Sequence, residues 1–323
     1  MESNYNHGNR AFLQAIMGRG SLTLSEGKSI VATILNVQEG TTITEDDVSQ
    51  ATFDSFIAAA AEAVSCFEYE IRSMQHQITK NKIYAFVNSV SDPFTQQATL
   101  RSPDELLYIK RLLDTIFETN NSRRKEVMAI TSMQALEIQI RKGNSDKGLT
   151  QTEAEALLSS LEKENWLERS PKGYYSLAPR ALMELRTWLI DNYNDNEDPN
   201  ANQKIKFCEA CREIVTVGQR CIDLDCNTRL HNICEAAFWK SRPSRNCPKC
   251  ELQWNGENYV GEKAITIEEE NLRRKSRGEK RRRQSQSNKV NNANGEEQEQ
   301  IDNGVRKRRA RLELPNTNDA SSE

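Results

Sequence analysis

The chain has 323 residues, enough for two or three domains, and its formal net charge of −3 gives it no strong overall field of either sign. No apolar run reaches the roughly 20 residues that a membrane-spanning helix needs, which excludes a membrane protein. The first ten residues are polar and do not resemble a secretory signal, so we expect an intracellular chain with reduced thiols.

Residues 1–97 have the pattern of a winged-helix domain. Three stretches carry apolar residues at helical spacing, and two later stretches, rich in β-formers, flank a polar turn. The predicted helices lie at residues 11–17, 25–37 and 45–67, and the predicted hairpin strands at 69–79 and 83–90. Cys66 falls in an Ala-rich part of the third helical pattern, and we expect it in the core.

Residues 98–195 repeat this order and predict a second winged-helix domain. Thr150 and Glu153 have the spacing of a capping box at the start of its third helix. The predicted helices lie at residues 103–119, 133–140, 151–165 and 180–193, and the hairpin at 166–177. An Asn- and Asp-rich stretch at 196–205 predicts a linker.

The third helix of each predicted winged helix is acidic, which bears on what these domains bind. DNA binding depends on Lys and Arg that neutralise phosphates. These helices carry carboxylates instead, namely Glu45, Asp46, Asp47, Asp54, Glu62, Glu153, Glu155, Glu162 and Glu164. We therefore expect the domains to dock proteins. Weak contacts with phosphates remain an alternative for four cations of the predicted wings, Lys80, Lys82, Arg169 and Lys172.

Seven of the eight cysteines and one of the three histidines lie within residues 206–260, here called the metal module. Their order is Cys208-x2-Cys211-x9-Cys221-x4-Cys226-x4-His231-x2-Cys234-x12-Cys247-x2-Cys250. Zinc prefers four tetrahedral thiolate or imidazole ligands, so eight ligands predict two closed, structural zinc sites. Interleaved zinc folds with this ligand order pair Cys208 and Cys211 with His231 and Cys234. The second site is then Cys221, Cys226, Cys247 and Cys250.

Two kinds of interleaved zinc fold fit this spacing. They are a RING, which binds ubiquitin-conjugating enzymes, and a plant-homeodomain finger, which reads histone tails. The plant-homeodomain finger usually has an aromatic residue where Arg245 stands, whereas a RING often has a proline where Pro248 stands. Trp239 lies where RINGs place an aromatic residue that contacts a conjugating enzyme, so we favour the RING. The predicted contacts with that enzyme are Ala210, Trp239 and Pro248. A RING acts by holding the conjugating enzyme and its ubiquitin thioester in a reactive geometry.

Two departures from active RINGs predict weak ligase activity or a pure docking role. Ala210 is smaller than the aliphatic residue that active RINGs prefer between the first two ligands. Glu251 follows the last ligand, where many active RINGs have a cation that reaches ubiquitin. Both keep a non-catalytic scaffold open as an alternative.

Together these patterns predict a mainly α chain with small β-hairpins. Tandem winged-helix domains (1–97 and 98–195) precede a zinc-bound variant RING (206–260) and a disordered charged tail (261–323). Two basic runs in the tail have the composition of nuclear import signals. Their cations are Arg273, Arg274, Lys275, Lys280, Arg281, Arg282, Arg283, Arg306, Lys307, Arg308 and Arg309.

This order resembles the RING-bearing non-SMC element, numbered one, of the SMC five–six complex over about residues 9–259. The most specific stretches are Trp166-Leu167-Glu168-Arg169-Ser170-Pro171, Tyr175-Ser176-Leu177-Ala178-Pro179-Arg180 and Cys208-Glu209-Ala210-Cys211 through Cys250. The resemblance implies a nuclear, chromosome-associated ubiquitin ligase subunit that acts in DNA repair. It implies a MAGE-type winged-helix partner, a kleisin and the SMC ATPases, with DNA contacted mainly through them. A scaffold in the same complex and a histone-reading adaptor are the alternatives.

Overall fold

The computed structural model of the chain describes residues 5–40, 42–89, 100–138, 148–195, 197–198, 201 and 203–265. They belong to one compact unit, Met1–Ile265. They form helices and three antiparallel sheets of three strands each, which confirms the predicted fold class. Within this described part of the chain, no helix is long and apolar enough to cross a bilayer.

The first winged helix packs three helices against a sheet with β3 at its centre, antiparallel to β1 and β2. Its elements are α1 His7–Arg19, β1 Ser21–Thr23, α2 Leu24–Glu39, a 3-10 turn Glu45–Asp47, α3 Gln50–Ser65, β2 Tyr69–Gln75 and β3 Lys82–Asn88. Thr23 and Glu26 form a reciprocal capping box that starts α2. In the core, Phe53 lies edge to face with Phe12 and Tyr84, with centroids 6.0 and 5.1 Å away.

The position predicted for Cys66 is wrong, because its side chain is exposed. The buried face of α3 consists of Phe53, Phe56, Ala60 and Val64, which are spaced by three or four residues. Cys66 follows Val64 by two positions, which places it on the opposite side of the helix. The Ala-rich composition therefore gave the helix correctly but not its buried face.

The second winged helix begins its third helix at the predicted capping box. The Thr150 amide donates to Glu153 Oε2 at 2.8 Å, and the Glu153 amide donates to Thr150 Oγ1 at 3.3 Å. The predicted last helix is instead two helices, because the buried Leu185 between them leaves helical geometry at φ −84° and ψ 1°. The elements are α4 Pro103–Asp114, a π turn Thr115–Thr119, β4 Ile130–Thr131, α5 Ser132–Glu137, α6 Gln151–Lys163, β5 Leu167–Arg169, β6 Tyr174–Leu177, α7 Pro179–Glu184 and α8 Arg186–Tyr193.

The metal module has short elements, since its metal-ligand turns take up much of its length. They are β7 Gly218–Arg220, β8 Arg229–Leu230, α9 Asn232–Lys240 and β9 Tyr259–Val260, with β7 at the centre of the sheet. One hydrophobic core includes Val87 of β3, the interior of the second winged helix, and Leu230 and Trp254 of the metal module. The first winged helix has a second core of its own around Phe53.

The first wing, which is β2 and β3 with their connecting turn, packs against the second winged helix and the metal module. Arg72 Nη1 donates to the carbonyl of Met183 in α7 at 3.0 Å. His76 Nε2 lies 2.8 Å from Glu168 Oε1 on β5. The wing is therefore an internal connector in this chain, while the side chains of Lys80 and Lys82 at its outer end stay exposed.

Candidate metal centre

Two cysteine turns of the same shape present four of the sulfur atoms. In the first, the Cys208 amide donates to the Glu213 carbonyl at 2.9 Å, and Arg212 adopts φ +63°. In the second, the Cys247 amide donates to the Leu252 carbonyl at 2.8 Å, and Glu251 adopts φ +61°. The left-handed residue after each Cys-x2-Cys pair reverses the chain, so both sulfur atoms of a pair face the same point.

The other ligands come from the segment around β8 and α9. His231 precedes α9, and Cys234 lies in its first turn with its amide 3.0 Å from the His231 carbonyl. Cys221 and Cys226 lie in the loop between β7 and β8. Each predicted site thus joins segments that are far apart in sequence, which holds so small a module together.

The structure brings the eight side chains into two groups of four, in which all ligand atoms lie within 4.8 Å of one another. One group, the first metal site, is Cys208, Cys211, His231 and Cys234. The other, the second metal site, is Cys221, Cys226, Cys247 and Cys250. These are the interleaved pairs that the ligand order predicts.

The spacing of these atoms fits tetrahedral zinc. Zn–S bonds of about 2.3 Å and Zn–N bonds of about 2.0 Å require donor atoms about 3.5–3.8 Å apart. His231 Nδ1 lies 3.3 Å from Cys211 Sγ and 3.9 Å from Cys234 Sγ. The Sγ atoms of Cys221 and Cys250 are 3.3 Å apart. Since a disulfide needs about 2.05 Å, the sulfur atoms are placed for a metal and not for a disulfide bond.

Charge also favours a cation at both sites. Burial, and then the charge of the Cys208 thiolate, raise the pKa of Cys234 to about 11. Burial likewise raises the pKa of Cys221 well above its ordinary value. Several thiolates cannot ionise side by side in a buried site unless a positive ion compensates them. A divalent ion would supply that charge.

Outer hydrogen bonds hold the ligands in place. His231 Nε2 lies 3.2 Å from the Ile214 carbonyl, which leaves Nδ1 facing the sulfur atoms. Thr228 Oγ1 lies 3.2 Å from Cys226 Sγ. Metal-bound histidines usually donate their second ring N–H in this way, because the bond fixes the tautomer and the ring orientation.

The three residues predicted to contact a conjugating enzyme differ in exposure. Ala210 and Pro248 lie exposed on the first and second cysteine turns. Lys249 Nζ is 3.6 Å from Glu209 Oε1, so the two turns are neighbours. Trp239, by contrast, is only 6 % exposed and packs against Phe238 and Trp254, with centroids 4.9 and 5.8 Å away. The predicted import residues of the tail lie outside the described residues.

Sequence reasoning missed a buried ionic cluster that joins the second winged helix to the metal module. Glu126, Lys206 and Arg229 are 1, 4 and 1 % exposed. Arg229 Nε donates to Glu126 Oε2 at 2.7 Å, its Nη2 donates to Oε1, and Lys206 Nζ donates to Oε1 at 2.5 Å. None of these residues belongs to a motif or a periodic pattern, so no local signal marks the cluster.

The cluster shifts the pKa values of its members. Burial alone raises the pKa of Glu126, but the hydrogen bonds and charges of Arg229 and Lys206 outweigh it and leave the pKa below its ordinary value. Burial and the charge of Arg229 lower the pKa of Lys206 to about 8. Glu126 is therefore the residue that keeps two buried cations compensated.

Tandem winged helices, the second of which shares a core with two interleaved sites built from seven cysteines and one histidine, define a RING-like zinc-finger protein. A RING-like domain matches residues 208–250, and the family described as Nse1 non-SMC component of SMC5-6 complex matches residues 9–185. The chain belongs to this Nse1 family.

Curated relatives cover nearly the same region. Non-structural maintenance of chromosomes element 1 of Schizosaccharomyces pombe is 27% identical over 249 residues, which are 77% of this chain and 92% of that protein. The Mus musculus homolog is 24% identical over 245 residues, which are 76% of this chain and 83% of its own. A solved Nse1-Nse3-Nse4 complex matches with a TM-score of 0.61 at 23% identity, covering 78% of this chain and 98% of the matched chain. At that identity the match supports the fold.

Proposed function

We propose that this chain is a RING-type ubiquitin ligase subunit of an SMC five–six complex, with one zinc ion in each metal site. The observation that carries the proposal is the pair of tetrahedral donor sets in a chain of the Nse1 family. Zinc would be structural, because four protein ligands leave no position open for a water or substrate. The ions would fix the two cysteine turns relative to each other.

The conjugating enzyme would bind where the two turns meet. Ala210 and Pro248 are exposed there, and Lys249 of one turn pairs with Glu209 of the other. A rigid surface of this kind lowers the barrier of ubiquitin transfer by orientation alone. Trp239 would support the surface from below, because its ring is buried.

The same surface also favours a second candidate function, a non-catalytic scaffold. The buried Trp239 takes the predicted aromatic contact away from the surface. Glu251 offers a carboxylate where an active RING usually has a cation. We therefore expect weak ligase activity from the chain alone and stronger activity when a MAGE-type subunit is bound.

A ubiquitination assay separates the two functions. The purified chain is tested with a panel of conjugating enzymes, alone and with its MAGE-type partner. Pro248→Ala should reduce chain formation, whereas Ile222→Ala, at a 50 % exposed residue beside the second metal site, should not. Zinc content should stay at two ions for both variants. Absence of ubiquitin chains across the panel, with two zinc ions bound, would leave the scaffold.

Partners and location are part of the proposal. The solved neighbour is a complex that contains Nse3 and Nse4, which supports a MAGE-type and a kleisin partner here. The carboxylates on the third helices, and on the turn Glu45–Asp47 that precedes the first of them, suit protein docking better than phosphate binding. We expect co-purification from nuclear extract to recover both subunits and the SMC ATPases. Recovery of none of them from a zinc-loaded chain would contradict this assignment.

The basic runs of the tail would act as import signals for a nuclear, chromosome-associated protein. Truncation after Glu262 removes both runs, Arg273–Arg283 and Arg306–Arg309, and leaves the metal ligands intact. The truncated chain should accumulate outside the nucleus and retain two zinc ions. Normal nuclear accumulation would refute the role of the tail.

A further inference from the structure

The tip of the first wing inserts one buried amide into the metal module. Gln77 follows β2 and is 5 % exposed. Its Nε2 donates to the Ile214 carbonyl at 3.0 Å. Its Oε1 accepts from the amides of Thr216 and Val217 at 3.0 and 2.8 Å and lies 3.2 Å from Thr216 Oγ1. Both ends of the amide are thus satisfied by one short segment of the metal module.

The Ile214 carbonyl is shared between the wing and a predicted zinc ligand. The oxygen that accepts from Gln77 Nε2 also lies 3.2 Å from His231 Nε2. A carbonyl oxygen has two lone pairs, and these two N–H groups use both. The position of His231 therefore depends on a carbonyl that is fixed by a residue of a different domain, 137 positions away from Ile214.

We propose that Gln77 is a positioning residue of the first metal site. By holding the Ile214 carbonyl, it keeps His231 Nε2 hydrogen-bonded and Nδ1 turned towards the three sulfur atoms. A histidine whose outer hydrogen bond is loosened binds metal less well, because its orientation and tautomer are no longer fixed. The inference rests on zinc binding as proposed above.

The proposal predicts an effect on one site only. The first metal site contains His231, whereas the second consists of four cysteines, and its outer contact is Thr228 within the module itself. None of the four hydrogen bonds of Gln77 reaches a residue of the second site. Displacement of the wing should therefore weaken metal binding at the first metal site, which has three sulfur ligands, and not at the second, which has four.

Gln77→Glu tests this with little change of shape. One carboxylate oxygen still accepts from Thr216 and Val217, but the other replaces the donor that faces the Ile214 carbonyl. Gln77→Asn keeps the amide but is one methylene shorter, so it serves as a second variant if the first does not fold. Arg72→Met is the matched control, because it removes a different hydrogen bond of the same wing, to Met183.

The measurement is the release of cadmium, bound in place of zinc, from the full chain to a chelator. Cadmium NMR monitors the release and resolves the three-sulfur site from the four-sulfur site. Gln77→Glu should lose metal from the three-sulfur site about ten-fold faster than the unmodified chain, the low end of the range for outer-shell partners. The four-sulfur site, and both sites of Arg72→Met, should be unchanged.

Three results would count against these assignments. Release at the unmodified rate in both Gln77 variants would overturn the role of Gln77, as would equal acceleration at both sites, which indicates general destabilisation. An unmodified chain that binds no metal at the three-sulfur site would instead refute the proposed zinc binding. The failure of one claim is therefore distinguishable from the failure of the other.

Discussion

Glu126→Gln should destabilise the chain far more than an ordinary loss of an ion pair. The substitution keeps the size of the side chain but removes the only negative charge that the described structure places within hydrogen-bonding distance of both Arg229 and Lys206. All three side chains are at most 4 % exposed, so water cannot replace the lost charge. Two buried cations would then face each other without compensation.

The expected magnitude follows from the three hydrogen bonds that the carboxylate accepts. Removing one partner from a buried ion pair costs about 3–5 kcal/mol, because the remaining charge stays desolvated. We expect Glu126→Gln to lie in this range. That loss is a large part of the about 5–15 kcal/mol that stabilises a typical folded domain.

The assay is denaturant unfolding of the zinc-loaded chain, monitored by tryptophan fluorescence, to which the buried Trp166, Trp239 and Trp254 contribute. Arg123→Gln is the control, because the Arg123–Asp225 ion pair also joins this part of the second winged helix to the metal module. Its side chains are 53 and 66 % exposed, so the control should lose at most about 1 kcal/mol. Equal losses in the two variants would refute the reasoning that burial sets the cost.

Three further predictions follow from the contacts between the domains. Gly20 adopts φ +72°, and an added Cβ would stand 2.1 Å from Arg180 Nη1. At Gly40 φ is +65°, and an added Cβ would meet no atom of the described residues within 4 Å, so Gly20→Ala should lower the thermal midpoint more than Gly40→Ala. Equal midpoints would contradict the close packing of the two winged helices at this point. The hydrogen bond that His76 donates to Glu168 raises the pKa of His76, so the bond's contribution to stability should be full below about pH 6.5 and lost as pH rises through the raised pKa. The stability difference between the unmodified chain and Glu168→Gln should therefore shrink at alkaline pH, and a difference that grows with pH would show the opposite sign of coupling. Hydrogen exchange should show that removal of zinc by a chelator abolishes amide protection in the metal module. Helices α1–α3 should stay protected, since they pack in a core of their own. Simultaneous loss of protection in both regions would argue against separate cores.

The fold class and the two groups of metal ligands could be predicted because their signals are local or depend on ligand order alone. A capping box is read within four residues, and Thr150 and Glu153 form it as expected. The grouping of the eight ligands needs only their order, since interleaved folds pair them in a fixed way. The hairpins of both winged helices are likewise marked by strand formers on either side of a polar turn.

The missed features all depend on packing between distant segments. The resemblance to a RING placed Trp239 at the contact with a conjugating enzyme, but its burial depends on Trp254, which comes from a loop beyond the last ligand. The bond between Arg229 and Glu126 spans 103 positions, and a single Glu in a loop carries no periodic pattern. Gln77 shows the same limit, because a polar residue at a wing tip is ordinarily exposed.

The core that joins the second winged helix to the metal module has a practical consequence for biochemistry on fragments. A piece excised at residues 196–205 would expose the apolar side of Leu230 and Trp254 to water and would strand the cations of Lys206 and Arg229 without their carboxylate. Such a piece should aggregate and should take up metal slowly under conditions in which the intact chain is monodisperse. Assays of the proposed ligase activity on an isolated finger would therefore underestimate the activity of the intact chain.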